Sequence, residues 1–81
     1  MNSVYYLTHR DSLRRLRWYS TLSGARIAQR SRNHRLGFAV RLERVWVGSR
    51  EYERCEDSSG TVVDATWVIE EDCVEQVDLA E

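Results

Sequence analysis

Thr61-Val62-Val63-Asp64-Ala65-Thr66-Trp67-Val68-Ile69 is the stretch whose reading decides the fold. Side chains alternate between the two faces of a strand, so Thr61, Val63, Ala65, Trp67 and Ile69 share one side. That side is almost wholly apolar and is assigned to the core. Asp64, Thr66 and Glu70 share the other side with Val62 and Val68. Just upstream, Asp57-Ser58-Ser59-Gly60 is a turn signal, and Arg50–Glu56 lies before it. The two segments therefore read as an antiparallel hairpin.

Further upstream, Phe38–Val47 also alternates. Phe38, Val40 and Leu42 fall on one parity and Val45 and Val47 on the other, so a bulge near Glu43-Arg44 is expected to realign them. Proline is absent, and Gly24, Gly37, Gly48 and Gly60 recur every 11–13 residues. Turn signals at that interval predict a meander of short strands. Residues 11–22 admit two readings. Asp11-Ser12 caps a helix carrying Leu13 and Leu16, ending before Gly24; this is the favoured one. In the other, Leu16, Trp18, Ser20 and Leu22 alternate as a strand. At the far end, Asp72 with Glu75 resembles a capping box, and Cys73, Val74, Val77 and Ala80 form a helical stripe. The expected fold is α+β: one domain over residues 1–81, a small antiparallel β-sheet of three to five strands, meander-like, with one or two short helices. The three Trp residues are expected to fill much of a thin core.

The longest apolar runs, such as Tyr5–Leu7, are far short of the roughly 18 residues a membrane helix needs, and nothing resembles a secretory leader. A cytoplasmic protein without membrane contact is expected. Cys55 and Cys73 are read as reduced, mostly buried thiols. No Gly-rich phosphate loop, nucleophile elbow or His-Glu-x-x-His is present. Cys55 and Cys73 are too far apart for the usual zinc pair, and Glu70-Glu71-Asp72 reads as a solvated helix start. No catalytic residue, cofactor or metal site is assigned, and an enzyme is not expected.

Charge is the stronger signal. Every cation is Arg, a choice that codon usage explains. Codon usage does not explain where the charges sit. Residues 1–50 hold eleven Arg against Asp11 and Glu43; residues 51–81 hold Arg54 against eleven acids. The near-neutral total of −1 therefore hides a split chain. The candidate basic contact residues are Arg14, Arg15, Arg17, Arg26, Arg30, Arg32 and Arg35, because the Arg fork matches phosphate and carboxylate alike. The candidate acidic contacts are Glu51, Glu53, Glu70, Glu71, Glu75 and Asp78. Along a strand or helix such acids repeat every ~5–7 Å, comparable to successive backbone phosphates. Trp46 and Tyr52 are the candidate aromatic anchors.

A small, motif-free, charge-segregated chain fits a binding protein best. The first expectation is an inhibitor or modulator of a larger, nucleic-acid-handling protein complex, of the phage or mobile-element anti-defence type to which anti-CRISPR proteins belong. The second is direct nucleic-acid binding through the Arg-rich segment, stacking plus phosphate contact. The third is a homodimer in which basic and acidic parts pair across a two-fold axis. The same parts can instead pair within one molecule and neutralise each other.

Overall fold

A computed structural model describes residues 2–39, 41–57 and 59–74. In chain order they form β1 (Asn2–His9), β2 (Arg15–Tyr19), α1 (Leu22–Arg35), β3 (Glu43–Val47), β4 (Arg50–Glu56), β5 (Val62–Asp64) and β6 (Trp67–Val74). The strands make one six-stranded sheet of order β2-β1-β6-β4-β3, with β5 also on β4. Every pairing is antiparallel. The α+β class is as expected, with one strand more than the sequence suggested. The order departs from a plain meander because β6 inserts between β1 and β4.

The hairpin read around residues 57–60 is present as β4–β5, with Arg54 opposite Asp64 and Glu56 opposite Val62. Asp57 shapes its turn: its carboxylate accepts from the amides of Ser59 and Thr61 and from the Ser59 hydroxyl. These bonds, the hydroxyl first, hold the Asp57 pKa below the usual carboxylate range. Thr61–Ile69 is not one strand, however. Between the pairs Arg54–Asp64 and Glu51–Ile69, β4 advances three residues and its partner five. Ala65 and Thr66 are the interruption, and β5 and β6 run along the same edge of β4 on either side of it. Val68 and Ile69 are successive residues of β6, on opposite faces and in regular register with β1, and both are buried.

Three sequence expectations are overturned. Residues 11–22 do not form a helix. Arg15–Tyr19 is a strand paired with β1, Tyr6 opposite Trp18 and Tyr5 opposite Tyr19. The aromatic cross-strand pairs win over the helix propensity of Leu and Arg. Asp11 and Ser12 lie in the connecting turn, where the His9 imidazole Nδ1 accepts both their amides. A helix begins only at the last residue of this segment, Leu22. Thr21 is its N-cap, accepting from the Gly24 amide at 3.1 Å, and it closes at Leu36–Gly37 with Gly37 at φ 88°. At the other end Asp72, Cys73 and Val74 are the end of β6, opposite Val4, Ser3 and Asn2. They do not start a helix; Glu75, Val77, Asp78 and Ala80 lie outside the described residues. Phe38, Ala39, Arg41 and Leu42 are not strand, and β3 pairs with β4 in unbroken register from Glu43 onward, so no bulge is needed there.

The apolar core is small: Leu7, Ala25, Cys55, Ala65, Val68 and Ile69. Leu7 and Ile69 sit opposite each other on β1 and β6, beneath α1. Each such side chain stabilises the fold by about 1.5–3 kcal/mol through burial. The Trp residues do not fill this core. Trp18 is 60% exposed, Trp46 is 40% exposed, and Trp67 is half-buried at the edge of the helix. Cys55 and Cys73 are both free thiols, and contrary to expectation Cys73 is exposed. Among the described residues no helix is long and apolar enough to cross a membrane.

Candidate binding surface

α1 covers one side of the sheet, contacting β1, β6 and β2. Its fully buried residues are Ala25, Gln29 and Asn33, a stripe at i, i+4, i+8 in which only the first is apolar. Beneath them lie Glu51 and Glu53, neighbours on one face of β4 and both 0% exposed. Arg26 reaches down from the helix and donates two hydrogen bonds to Glu51, at 2.9 and 2.7 Å. Arg44 from β3 approaches from the side, 3.3 Å from Glu51 and 3.6 Å from Glu53. Asn33 donates to Glu53 at 2.8 Å. The helix is thus fastened to the sheet by charge-assisted and amide hydrogen bonds as much as by apolar contact.

The interruption at Ala65-Thr66 supplies the other half of this fastening. It leaves the Trp67 amide and carbonyl free of β4. Asn33 takes both: its Oδ1 accepts from the Trp67 amide at 2.8 Å and its Nδ2 donates to the Trp67 carbonyl at 3.1 Å. Gln29 adds bonds to the carbonyls of Trp67 and Glu51. The Asn33 carboxamide therefore acts as one residue of an extra strand.

The opposite side of the sheet has its own charge ladder. Glu70 accepts from Arg15 at 2.8 Å and from Arg50 at 3.1 Å, and Arg15 also reaches Asp72. Partial burial opposes ionisation of Glu70, but the hydrogen bonds from Arg15 and then Arg50 prevail and hold its pKa below the usual range. Arg15 lies 4.0 Å over the Tyr6 ring.

The sequence-predicted contact residues are therefore divided. Glu51 and Glu53 are withdrawn from the surface and offer a partner nothing; this overturns their reading as contacts. Glu70 is held between two Arg, and Glu71 is half-buried. Glu75 and Asp78 lie outside the described residues. Among the basic residues, Arg15 and Arg26 are bound to acids of the second part of the chain. Arg54 likewise pairs with Asp64. Pairing within one molecule is thus a main use of the charge split. Arg17 and Arg32 lie against the rings of Tyr19 and Trp67. Arg14, Arg30 and Arg35 are exposed and make no ion pair with any described residue. Trp46 is partly exposed on β3, and Tyr52 is half-buried on the uncovered side of β4.

Sequence reasoning missed a surface on the outer side of α1. Ile27 is 73% exposed there. It opens onto a cleft of about 580 Å³ between the helix and the segment that follows it, bounded by Ile27, Arg30, Ser31 and His34 on one wall and Phe38, Ala39 and Leu42 on the other. No acid lines it. Of the helix residues on that wall only Ile27 is apolar, so the available signal was one isoleucine and not an amphipathic stripe. It was obscured because the buried stripe of the same helix is mainly polar. No family model, curated protein or solved structure matches the chain.

Proposed function

We propose that this chain is a non-enzymatic protein-binding module, an inhibitor or modulator of a larger nucleic-acid-handling complex, and that it docks through the outer face of α1. The observation that carries this reading is the cleft beside Ile27. A large aliphatic side chain standing in solvent, above apolar Phe38 and Leu42, is the form of an interface anchor with its pocket. Arg30 supplies basic charge at its wall, and no acid lines it. That combination fits an acidic protein surface presenting an apolar side chain. The basic rim steers the encounter and the apolar centre provides the hold. The anti-defence inhibitors named above are the class this describes.

Affinity purification tests it with three forms of the chain: wild type, Ile27→Asp, and Arg30→Glu with Arg35→Glu. These positions are exposed, so the variants fold. Arg26 is left alone because it holds Glu51. A stoichiometric protein captured by wild type and lost from both variants is expected. The same proteins captured by all three forms would refute the assignment. Direct nucleic-acid binding is the second reading, favoured by Arg14, Arg30 and Arg35 lacking ion pairs with described residues. It requires an oligonucleotide affinity that falls steeply with salt, a log–log slope of roughly −3 if about three Arg meet duplex phosphates.

A further inference from the structure

β2 and β3, the strands at the two ends of the main path of the sheet, are not equivalent. An outer strand presents unpaired amides and carbonyls and invites a further strand unless it is guarded. β2 is guarded: its pairing with β1 is broken by a register shift at Leu7/Thr8, and Arg14, Arg15 and Arg17 run along it. A second copy laid antiparallel about Leu16 or Arg17 would set Arg against Arg. β3 has none of these protections. It is Glu43-Arg44-Val45-Trp46-Val47, in regular register with β4, without bulge, glycine or lysine. Trp46 and Val47 are exposed on it. Among the described residues no strand lies on its outer side.

We propose that β3 pairs with β3 of a second copy of this chain, antiparallel about a two-fold axis at Val45, joining two sheets into one. The register that uses all five residues is centred on Val45. It sets Arg44 of each copy opposite Trp46 of the other, twice. Arg44 and Trp46 lie on the same side of their strand, one opposite Glu53 and the other opposite Glu51 of β4. Arg44 lies 3.3 and 3.6 Å from those two carboxylates of the neighbouring strand and keeps 28% of its side chain exposed. A Trp face on that guanidinium is a cation–π contact, made twice by symmetry. One acid and one base per strand leave no net repulsion. Self-complementarity of this kind is what a two-fold interface requires. It differs from the electrostatic dimer expected from the sequence, since most of those opposite charges are already paired within the molecule. The proposal is independent of the role assigned to α1.

Sedimentation velocity across a concentration series tests it. The wild type is expected to move from the 9.6 kDa monomer to a species of twice that mass. Val45→Lys, which sets Lys against Lys across the axis, is expected to abolish the dimer while its circular dichroism stays that of wild type. Trp46→Ala is expected to raise the dissociation constant roughly tenfold. Because a Val45 variant could also act by weakening the fold, a second arm uses Val45→Cys with Cys73→Ser. Facing Cys residues across the axis form an intermolecular disulfide under mild oxidation, and Val47→Cys in the same background does not. A wild-type monomer at the highest soluble concentration overturns the proposal, as does a dimer indifferent to Val45→Lys. A monomer that takes up an extended peptide along β3 assigns the edge to another protein and overturns the second copy as its occupant.

Discussion

The two sides of this sheet are built on opposite plans. The side covered by α1 buries two glutamates, a glutamine and an asparagine. The uncovered side carries Trp18 and Val47 in solvent and a surface ladder of Arg15, Glu70 and Arg50. In a small domain the usual economy is apolar within and polar without. Here the covered side is partly ionic, and what that ionic layer provides is orientation. Arg26, Gln29 and Asn33 each have a defined acceptor on β4 or β6, so α1 sits in one place along the sheet. Apolar contact alone, with Ala25 the only fully buried apolar residue of the helix, would not specify that place.

The sharpest way to break the contrast is to strike the covered side. Glu51→Ala leaves Arg26 and Arg44 without their shared carboxylate. Breaking a buried pair costs about 3–5 kcal/mol, and since Arg26 keeps some solvent the lower end, about 3 kcal/mol, is expected. Urea denaturation followed by circular dichroism measures it. Asn33→Ala removes the bonds to Trp67 and Glu53 and strands buried groups on both. A loss of about 2–3 kcal/mol is expected by the same measurement. On the uncovered side the effects shrink. Glu70→Gln is expected to cost about 1 kcal/mol at neutral pH, as its partners are partly exposed. The sign of its pH dependence is set by the lowered pKa. The ionised form is favoured in the folded state, so the contribution is complete above the ordinary carboxylate range. It is lost as pH falls through the folded value, and wild type and variant converge in acid. Arg30→Glu, outside both layers, is expected to change stability by no more than about 0.5 kcal/mol while removing partner capture.

The contrast also explains what could be read from the chain. The β4–β5 hairpin was legible because Asp57-Ser58-Ser59-Gly60 is a turn by its own chemistry. α1 was not, because Gln29 and Asn33 occupy positions where an amphipathic pattern calls for apolar residues. Their burial follows from acceptors on distant strands that local sequence does not announce. Asp11-Ser12 misled for a related reason: the same residues that cap helices also fill turns, and the choice was made by Tyr6 and Trp18 pairing across strands. The acidic residues were read as a set, yet Glu51 and Glu53 are separated from the others by facing the helix. The charge split was visible at once. Its main use, pairing Arg15, Arg26 and Arg50 with acids far along the chain, required the fold.

One consequence concerns the order in which the molecule opens. The Trp67 amide sits in the sheet, but its bond is to Asn33 of the helix. Its solvent exchange should therefore follow undocking of α1, not fraying of the strands around it. In native-state hydrogen exchange the Trp67 amide is expected to exchange together with the buried Asn33 side chain and ahead of the Ile69 amide. A single proton thus distinguishes a molecule that has released its helix from one that has lost its sheet.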